Sequence, residues 1–232
     1  MSADGPLPRR SSPLGGSTRS GVGGTSADGP PQGTHCAPSG GVGAHQFGIT
    51  VRRATAGDAP GIARVRIDSW RTTYRGMIPD AYLDGMQIEA SAALWDRVLT
   101  AGPNTTSVFV AEHGPEIVGF ACGTILKEPK HGFDAELAAV YLRRDFQRVG
   151  RGRRLVGAVA EAQRAHGATS LLTWVIAGNK GARAFYEGLG GELFVEQPFQ
   201  WDGMDLMEAG YGWRDLCMLA SACNMDAMET RS

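Results

Sequence analysis

Lysine is almost absent from this chain. Only Lys127, Lys130 and Lys180 occur, so arginine carries nearly all the positive charge. With the excess of Ala and Gly, that bias points to a GC-rich bacterial genome. A charge surplus is missing too: 23 basic residues stand against 24 acidic ones, a net of −1. A chain without a broad basic field is not built to hold duplex nucleic acid. No apolar run reaches the ~20 residues that a membrane-spanning helix needs. The four cysteines, Cys36, Cys122, Cys217 and Cys223, form no Cys-x-x-Cys pair, and the five histidines complete no ligand spacing. No metal is therefore expected. With no hydrophobic signal segment either, the expectation is a cytoplasmic protein with reduced thiols and no membrane partner.

Large apolar side chains are scarce in residues 1–46. Leu7, Leu14, Val22 and Val42 are nearly all of them, and the rest is mostly Gly, Ser, Pro and Thr. So little apolar surface cannot offset the entropy of ordering the chain. Ser2-Ala-Asp-Gly-Pro6 recurs as Ser26-Ala-Asp-Gly-Pro30, which is low complexity and not a structural repeat. Arg9-Arg10 lacks the apolar core of a twin-arginine signal, because Ser11 to Gly16 cannot form one. The expected division is a disordered Gly/Ser/Pro-rich tail over 1–46, a folded domain over 47–216 and a C-terminal tail over 217–232. Cys36 and Cys223 fall in those tails.

What remains is patterned. Ile49 to Ala54 alternates like a strand. Asp58 and Pro60 mark a helix start, as N-cap and first-turn residue. Gly76 and Pro79 break that helix, and a second runs from Ile88 to Thr100. Thr106 to Glu112 and Ile117 to Leu126 read as a hairpin about His113-Gly114-Pro115-Glu116. Glu136 to Leu142 and Leu171 to Ile176 are strand-like, with a helical run from Arg153 to Ala165 between them. Glu192 to Gln200 and Asp205 to Trp213 make a closing pair. Helices between strands in the middle and hairpins at both ends predict a mixed sheet with helices on its two faces, an α/β (α+β) arrangement.

The most informative stretch is Gln147-Arg148-Val149-Gly150-Arg151-Gly152. A strand leads into it and a helix leads out. The first N–H groups of a helix have no intrahelical partner and lie at the positive end of its dipole. Glycines at 150 and 152 let a ligand approach the backbone. Such a loop is a phosphate cradle. A dinucleotide fingerprint would need a third glycine where Leu155 stands, and a P-loop would need Gly-Lys-Ser/Thr. The pattern Gln-x-x-Gly-x-Gly instead resembles the pyrophosphate loop of the GCN5-related N-acetyltransferases, the GNAT family. Downstream, Asn179-Lys-Gly-Ala-Arg-Ala-Phe-Tyr186-Glu-Gly-Leu-Gly190 resembles the family's second signature. Asn179 and Tyr186 lie two turns apart and share one helix face with Ala182 and Arg183, while Phe185 is expected in the core. The segment Trp70-Arg-x-x-Tyr74-x-Gly76-x-x-Pro79 is also similar to bacterial members. Two departures stand out: Gly191 replaces a frequent aromatic, and Arg143-Arg144-Asp145 replaces a frequent proline.

The resemblance implies the acyl-CoA N-acyltransferase fold over about residues 48 to 215, and acetyl-CoA as co-substrate. It implies cofactor contacts from the cradle residues Gln147, Arg148, Val149, Gly150, Arg151 and Gly152, and from Asn179. Backbone bonds to the pantetheine arm carry over to Val140 and Leu142, beside a bulge that splays two strands. An N–H there, that of Leu142, would polarise the thioester carbonyl; one such donor contributes ~10²–10³ in rate. Tyr186 is the implied general acid. A tyrosine with its ordinary pKa near ~10 keeps its proton at neutral pH and can give it to a thiolate. Glu136 is the candidate general base through a water, with Asp134 and Glu112 weaker. Trp70, Tyr74 and Phe133 are candidates for the amine-acceptor site, with core packing the favoured role for Trp70. The acceptor is a small-molecule or peptide amine, and the C-terminal strands offer a surface for a homodimer. A catalytically silent acyl-CoA-binding sensor or interaction module is the alternative.

Overall fold

The computed structural model describes residues 3–4, 48–101 and 105–224. Apart from Ala3 and Asp4, the expected tail over 1–46 lies outside the described residues, as do residues 225–232. The strands are β1 (Ala3–Asp4), β2 (Ile49–Arg53), β3 (Thr106–His113), β4 (Glu116–Lys130), β5 (Phe133–Leu142), β6 (Leu171–Ile176), β7 (Glu192–Trp201) and β8 (Met204–Trp213). The helices are α1 (Ala59–Thr73), α2 (Asp80–Gly85), α3 (Ile88–Thr100), α4 (Arg151–Ala165), α5 (Lys180–Glu187) and α6 (Leu216–Asn224). One sheet runs β2-β3-β4-β5-β6-β8-β7, with β1 against β5. Every pairing is antiparallel except β5 with β6. The mixed sheet expected from the order of elements is present.

Alternation along the strands sends residues to two cores. On one face Val140 and Leu142 meet Leu155, Val156 and Val159 of α4, Tyr186 of α5 and Leu219 of α6. On the other, Ala139 and Tyr141 meet Ile62 and Trp70 of α1, Leu83 of α2 and Trp95 of α3. Burying a side chain such as Leu83 contributes about 1.5–3 kcal/mol.

The segment from Trp70 to Pro79 has a structural reason for its spacing. Tyr74 ends α1, Gly76 takes a left-handed φ of 80°, and Pro79 precedes α2. Arg71 reaches across to the carbonyls of Leu83, Asp84 and Met86, at 3.0, 3.2 and 3.1 Å, and so closes the end of α2.

One expectation is refined and another corrected. Asp58 is the N-cap residue of α1 and Pro60 lies in its first turn, but the carboxylate makes no cap bond to the helix and turns back to accept from the Thr55 N–H at 2.7 Å and from Arg52. A 3-10 turn over Ala56–Asp58 makes it the closing acid of a box begun by Thr55. Beyond Asp215 the chain does not fade. It forms α6, whose Leu216, Leu219, Ala220 and Cys223 are buried against the α4 face. The boundary at 216 therefore falls at the start of a packed helix, and Cys223 is a core residue. The apolar spacing there spans barely two turns, too short to stand out against its surroundings.

Candidate active site

Strands β5 and β6 pair only at Ala135 with Leu171 and at Glu136 with Leu172. Beyond that point they part. The cause lies on the other side of β5. Cys122 of β4 is opposite Ala139 while Gly123 is opposite Leu137, so Ala138 is an inserted residue. Such a bulge bends its strand and ends regular pairing. The freed edge of β5 can still hydrogen-bond an extended chain, for β1 pairs with it at Val140 and Ala139.

At the mouth of the parting is a cavity of about 230 Å³, lined by Val140, Leu142, Gln147, Arg148, Gly150 and Gly152, with Arg153 and Phe185. Gly150 precedes α4 with φ 77°, a conformation that favours glycine, and Arg148 also has a positive φ of 69°. The first intrahelical acceptor of α4 is the Gly150 carbonyl, which bonds the Arg154 N–H at 3.1 Å. The amides of residues 151 to 153 precede that bond, so no carbonyl earlier in the helix accepts from them. The Gln147 amide donates to the Leu142 carbonyl at 2.8 Å and braces the loop against β5. Val149 is exposed, and Arg151 lies 5.7 Å from the Phe146 ring.

Gly152 serves a contact that the sequence did not reveal. A Cβ there would stand 3.3 Å from the Phe185 ring. Phe185 is half-buried: it packs against the core as expected, and it also lines the cavity. It follows Ala184 on the exposed side of α5, and the short helix leaves that side facing the cradle.

Asn179 and Tyr186 share a buried face of α5, as their spacing requires. Asn179 caps the helix, with Oδ1 accepting from the Ala182 N–H at 3.1 Å, and its amide donates to the Tyr74 hydroxyl at 3.4 Å. Burial pushes the Tyr74 phenol well above its ordinary range, so it stays protonated. Tyr186 is fully buried beside the point where β5 and β6 separate. The Thr173 hydroxyl lies 3.5 Å from the Tyr186 oxygen. Tyr211 and Trp213 pack against the Tyr186 ring at centroid distances of 5.8 Å each. Trp213 also explains Gly191: a Cβ there would be 2.9 Å from its indole. Trp213 thus fills space that a side chain at 191 would need.

The two weaker base candidates are engaged elsewhere. Desolvation raises the Asp134 carboxyl, but hydrogen bonds from the backbone and hydroxyls of Thr169 and Ser170 outweigh it and hold it below the usual carboxylate range. Glu112 pairs with Arg52 beside Asp58. Glu136 is half-buried at the last β5–β6 pair. Burial, and then the neighbouring Glu136 charge, push the Cys122 thiol up to about 12.

Of the acceptor candidates, Trp70 and Tyr74 come together, with ring centroids 5.2 Å apart. Trp70 is buried, donates to the Tyr141 hydroxyl at 2.8 Å and packs edge-on against Trp201. Phe133 belongs to a separate small cluster with Leu172 and Trp174, where it stacks near Phe194 and Arg214. A larger cavity of about 440 Å³ lies at the far edge of the sheet, among Arg52, Asp58, Glu112, Glu116 and Arg143. Those charges already pair with one another, Arg52 with Asp58 and Glu112, Arg143 with Glu116. No cluster of three or more His, Cys, Asp or Glu side chains that could hold a metal occurs among the described residues.

The acetyltransferase (GNAT) family model matches residues 67–190, which span the parting, the cradle and α5. The chain belongs to the GNAT family. This GNAT protein is 37% identical over 177 residues to the uncharacterized N-acetyltransferase YuaI of Bacillus subtilis, an alignment covering 76% of this chain and 99% of that one. Its fold is shared with the PaiA N-acetyltransferase of Thermoplasma acidophilum, solved in complex with coenzyme A. That match has TM-score 0.55 and 19% identity, over 70% of this chain and 98% of that one. It is shared too with YncA of Salmonella typhimurium, solved with its cofactor acetyl-CoA, at TM-score 0.54 and 17% identity over 72% and 94% of the two chains. Among the described residues, no helix of the GNAT protein is long and apolar enough to cross a membrane.

Proposed function

We propose that the protein is an acetyl-CoA-dependent N-acetyltransferase that acetylates a primary amine by direct attack on the thioester. The observation that carries this reading is the parting of β5 and β6 beside Tyr186, with the glycine-led start of α4 lining the cavity at its mouth. Acetyl-CoA supplies the activated acetyl group. Its pyrophosphate suits the amides at the start of α4 and the guanidinium groups of Arg148 and Arg151. The β5 edge at Val140 and Leu142 suits the extended pantetheine arm, because β1 already uses it as a strand edge. The crystallised fold neighbours with coenzyme A or acetyl-CoA support this choice of co-substrate.

In this reading the Leu142 N–H polarises the thioester carbonyl. Glu136, through a water, takes the proton that the attacking amine loses. Tyr186 gives its own proton to the departing thiolate. Asn179 holds α5 against α1, which keeps Tyr186 in register with the cleft. Trp70 and Tyr74, packed on one another, form the floor of the acceptor side, and Phe133, in its separate cluster with Leu172 and Trp174, takes no part in it.

The test is calorimetric titration with acetyl-CoA beside NAD and ATP, followed by thiol release with a panel of amines. Selective acetyl-CoA binding with turnover on an amine is the expected result. Tyr186→Phe should lower turnover by ~10²–10⁴ while sparing coenzyme A binding. Binding without turnover on any amine would favour the silent acyl-CoA module. A folded protein that binds no acetyl-CoA would remove both readings.

A further inference from the structure

Thr173 is the first residue of β6 after its last pairing with β5. It is fully buried, on a strand whose other positions are apolar. A buried hydroxyl there carries a desolvation cost unless it is bonded. Its Oγ1 donates across the gap to the Leu137 carbonyl at 2.9 Å, and the Tyr186 oxygen stands 3.5 Å from the same atom in a geometry that also accepts. One proton thus has two acceptors, one strongly bonded and one at the limit of bonding. Rotation about Cβ–Oγ moves the proton between them without moving a heavy atom.

We propose that Thr173 is a positioning residue for the acid: its hydroxyl turns from Leu137 to the Tyr186 oxygen when that oxygen becomes a phenolate. This rests on the reading of Tyr186 as general acid. The amine nitrogen forms the new C–N bond and loses a proton through water to Glu136, and the C–S bond breaks. The thiolate takes the Tyr186 proton, and Thr173 keeps its own. A hydrogen bond to an ionised oxygen is shorter and about twice as strong as one between neutral groups. The interaction is therefore weak before proton transfer and strong during it, which is the condition for lowering a barrier instead of only binding tighter. The Leu137 carbonyl, at the strand that flanks the bulge, holds the hydroxyl ready meanwhile.

The experiment compares full-length wild type with Thr173→Val, Thr173→Ser, Tyr186→Phe and the Thr173→Val/Tyr186→Phe double variant. Turnover is read as thiol release with the best amine of the panel, or as slow hydrolysis of acetyl-CoA where no amine is used; in both, the departing thiolate takes a proton. Thr173→Val should lower kcat about 10- to 100-fold, the range for a hydrogen bond to a charged group. KM for acetyl-CoA should stay within about threefold, and Thr173→Ser should return kcat toward wild type. In the Tyr186→Phe background, Thr173→Val should add no further loss. If Thr173→Val does not fold, Thr173→Cys, with a weaker donor, should show the same fall in kcat. A wild-type kcat in the folded Val or Cys variant overturns the proposal. So does a Ser variant as slow as Val, or an equal Val loss in both backgrounds. Wild-type turnover by Tyr186→Phe overturns the reading of the acid itself, which is a separate result.

Discussion

The amide of Asn179 donates to the hydroxyl of Tyr74 at 3.4 Å, while its carbonyl caps α5. One side chain therefore ties the end of α1 to the start of the helix that carries Tyr186. Losing an N-cap costs about 0.5–2 kcal/mol, and stranding a buried hydroxyl adds about 1–3 kcal/mol. Asn179→Ala should destabilise the fold by more than Tyr74→Phe does. The two changes should be non-additive by about 0.5–1.5 kcal/mol in a urea double-mutant cycle. Strict additivity would show that the 3.4 Å contact couples nothing.

The two cradle glycines should fail in different ways. Gly150→Ala meets no atom within 4 Å, yet its φ of 77° is strained for any side chain. The cost is about 1–2 kcal/mol, and the loop can relieve it only by turning its amides away. Gly152→Ala keeps ordinary helical backbone but pushes against the Phe185 ring. Thermal melts should show a loss for Gly150→Ala and little change for Gly152→Ala, whereas calorimetry with coenzyme A should show weaker binding for both.

β1 occupies the same β5 edge, at Val140 and Ala139, that the pantetheine arm would use. Residues 47–224 without the N-terminal segment should bind acetyl-CoA at least as tightly as the full chain. Weaker binding would mean that residues 1–46 contribute to the site. A shorter piece ending at 216 should melt at lower temperature, because it loses the buried Leu219, Ala220 and Cys223 of α6. Leu219 alone contributes about 1.5–3 kcal/mol.

Acid should weaken the fold through Asp58. The Arg52 guanidinium bonded to it holds this carboxyl at about 2, below the usual carboxylate range, against an opposing effect of burial. An acid with a depressed folded pKa adds stability above its unfolded pKa, and that stability is lost as pH falls through the folded value. The loss should therefore run from about pH 4 down to about pH 2. Urea unfolding at pH 7, 4 and 2.5 should show a steeper decline for wild type than for Asp58→Asn, which starts less stable at pH 7. Parallel curves would remove Asp58 as a source of the pH dependence.

Most of the frame was legible because it rests on local pattern. Alternation placed β2, runs of apolar and β-forming residues placed β5 and β6, and the Gly-x-Gly spacing placed the start of α4. The Asn-to-Tyr spacing put Asn179 and Tyr186 on one face of α5. Less visible were features whose signal is short or shared. The two turns of α6 carry too few residues for a clear period. The six residues of α2 are hidden between Pro79 and Met86. Phe185 and Tyr186 are adjacent, and only the packing of α5 decides which of them enters the core and which faces the cradle.

Neighbours along the chain settle the order of elements, the glycine-rich start of α4 and the helix face shared by Asn179 and Tyr186. Each follows from backbone geometry within a few residues. The tertiary structure alone decided where the strands part, because that depends on Ala138 finding no partner in β4. It decided as well that Thr173 on β6 meets both Leu137 and Tyr186, and that Asn179 reaches Tyr74 across 105 positions. Side-chain hydrogen bonds span only about 3 Å, so which distant residues make them is fixed only once the whole sheet has closed around them.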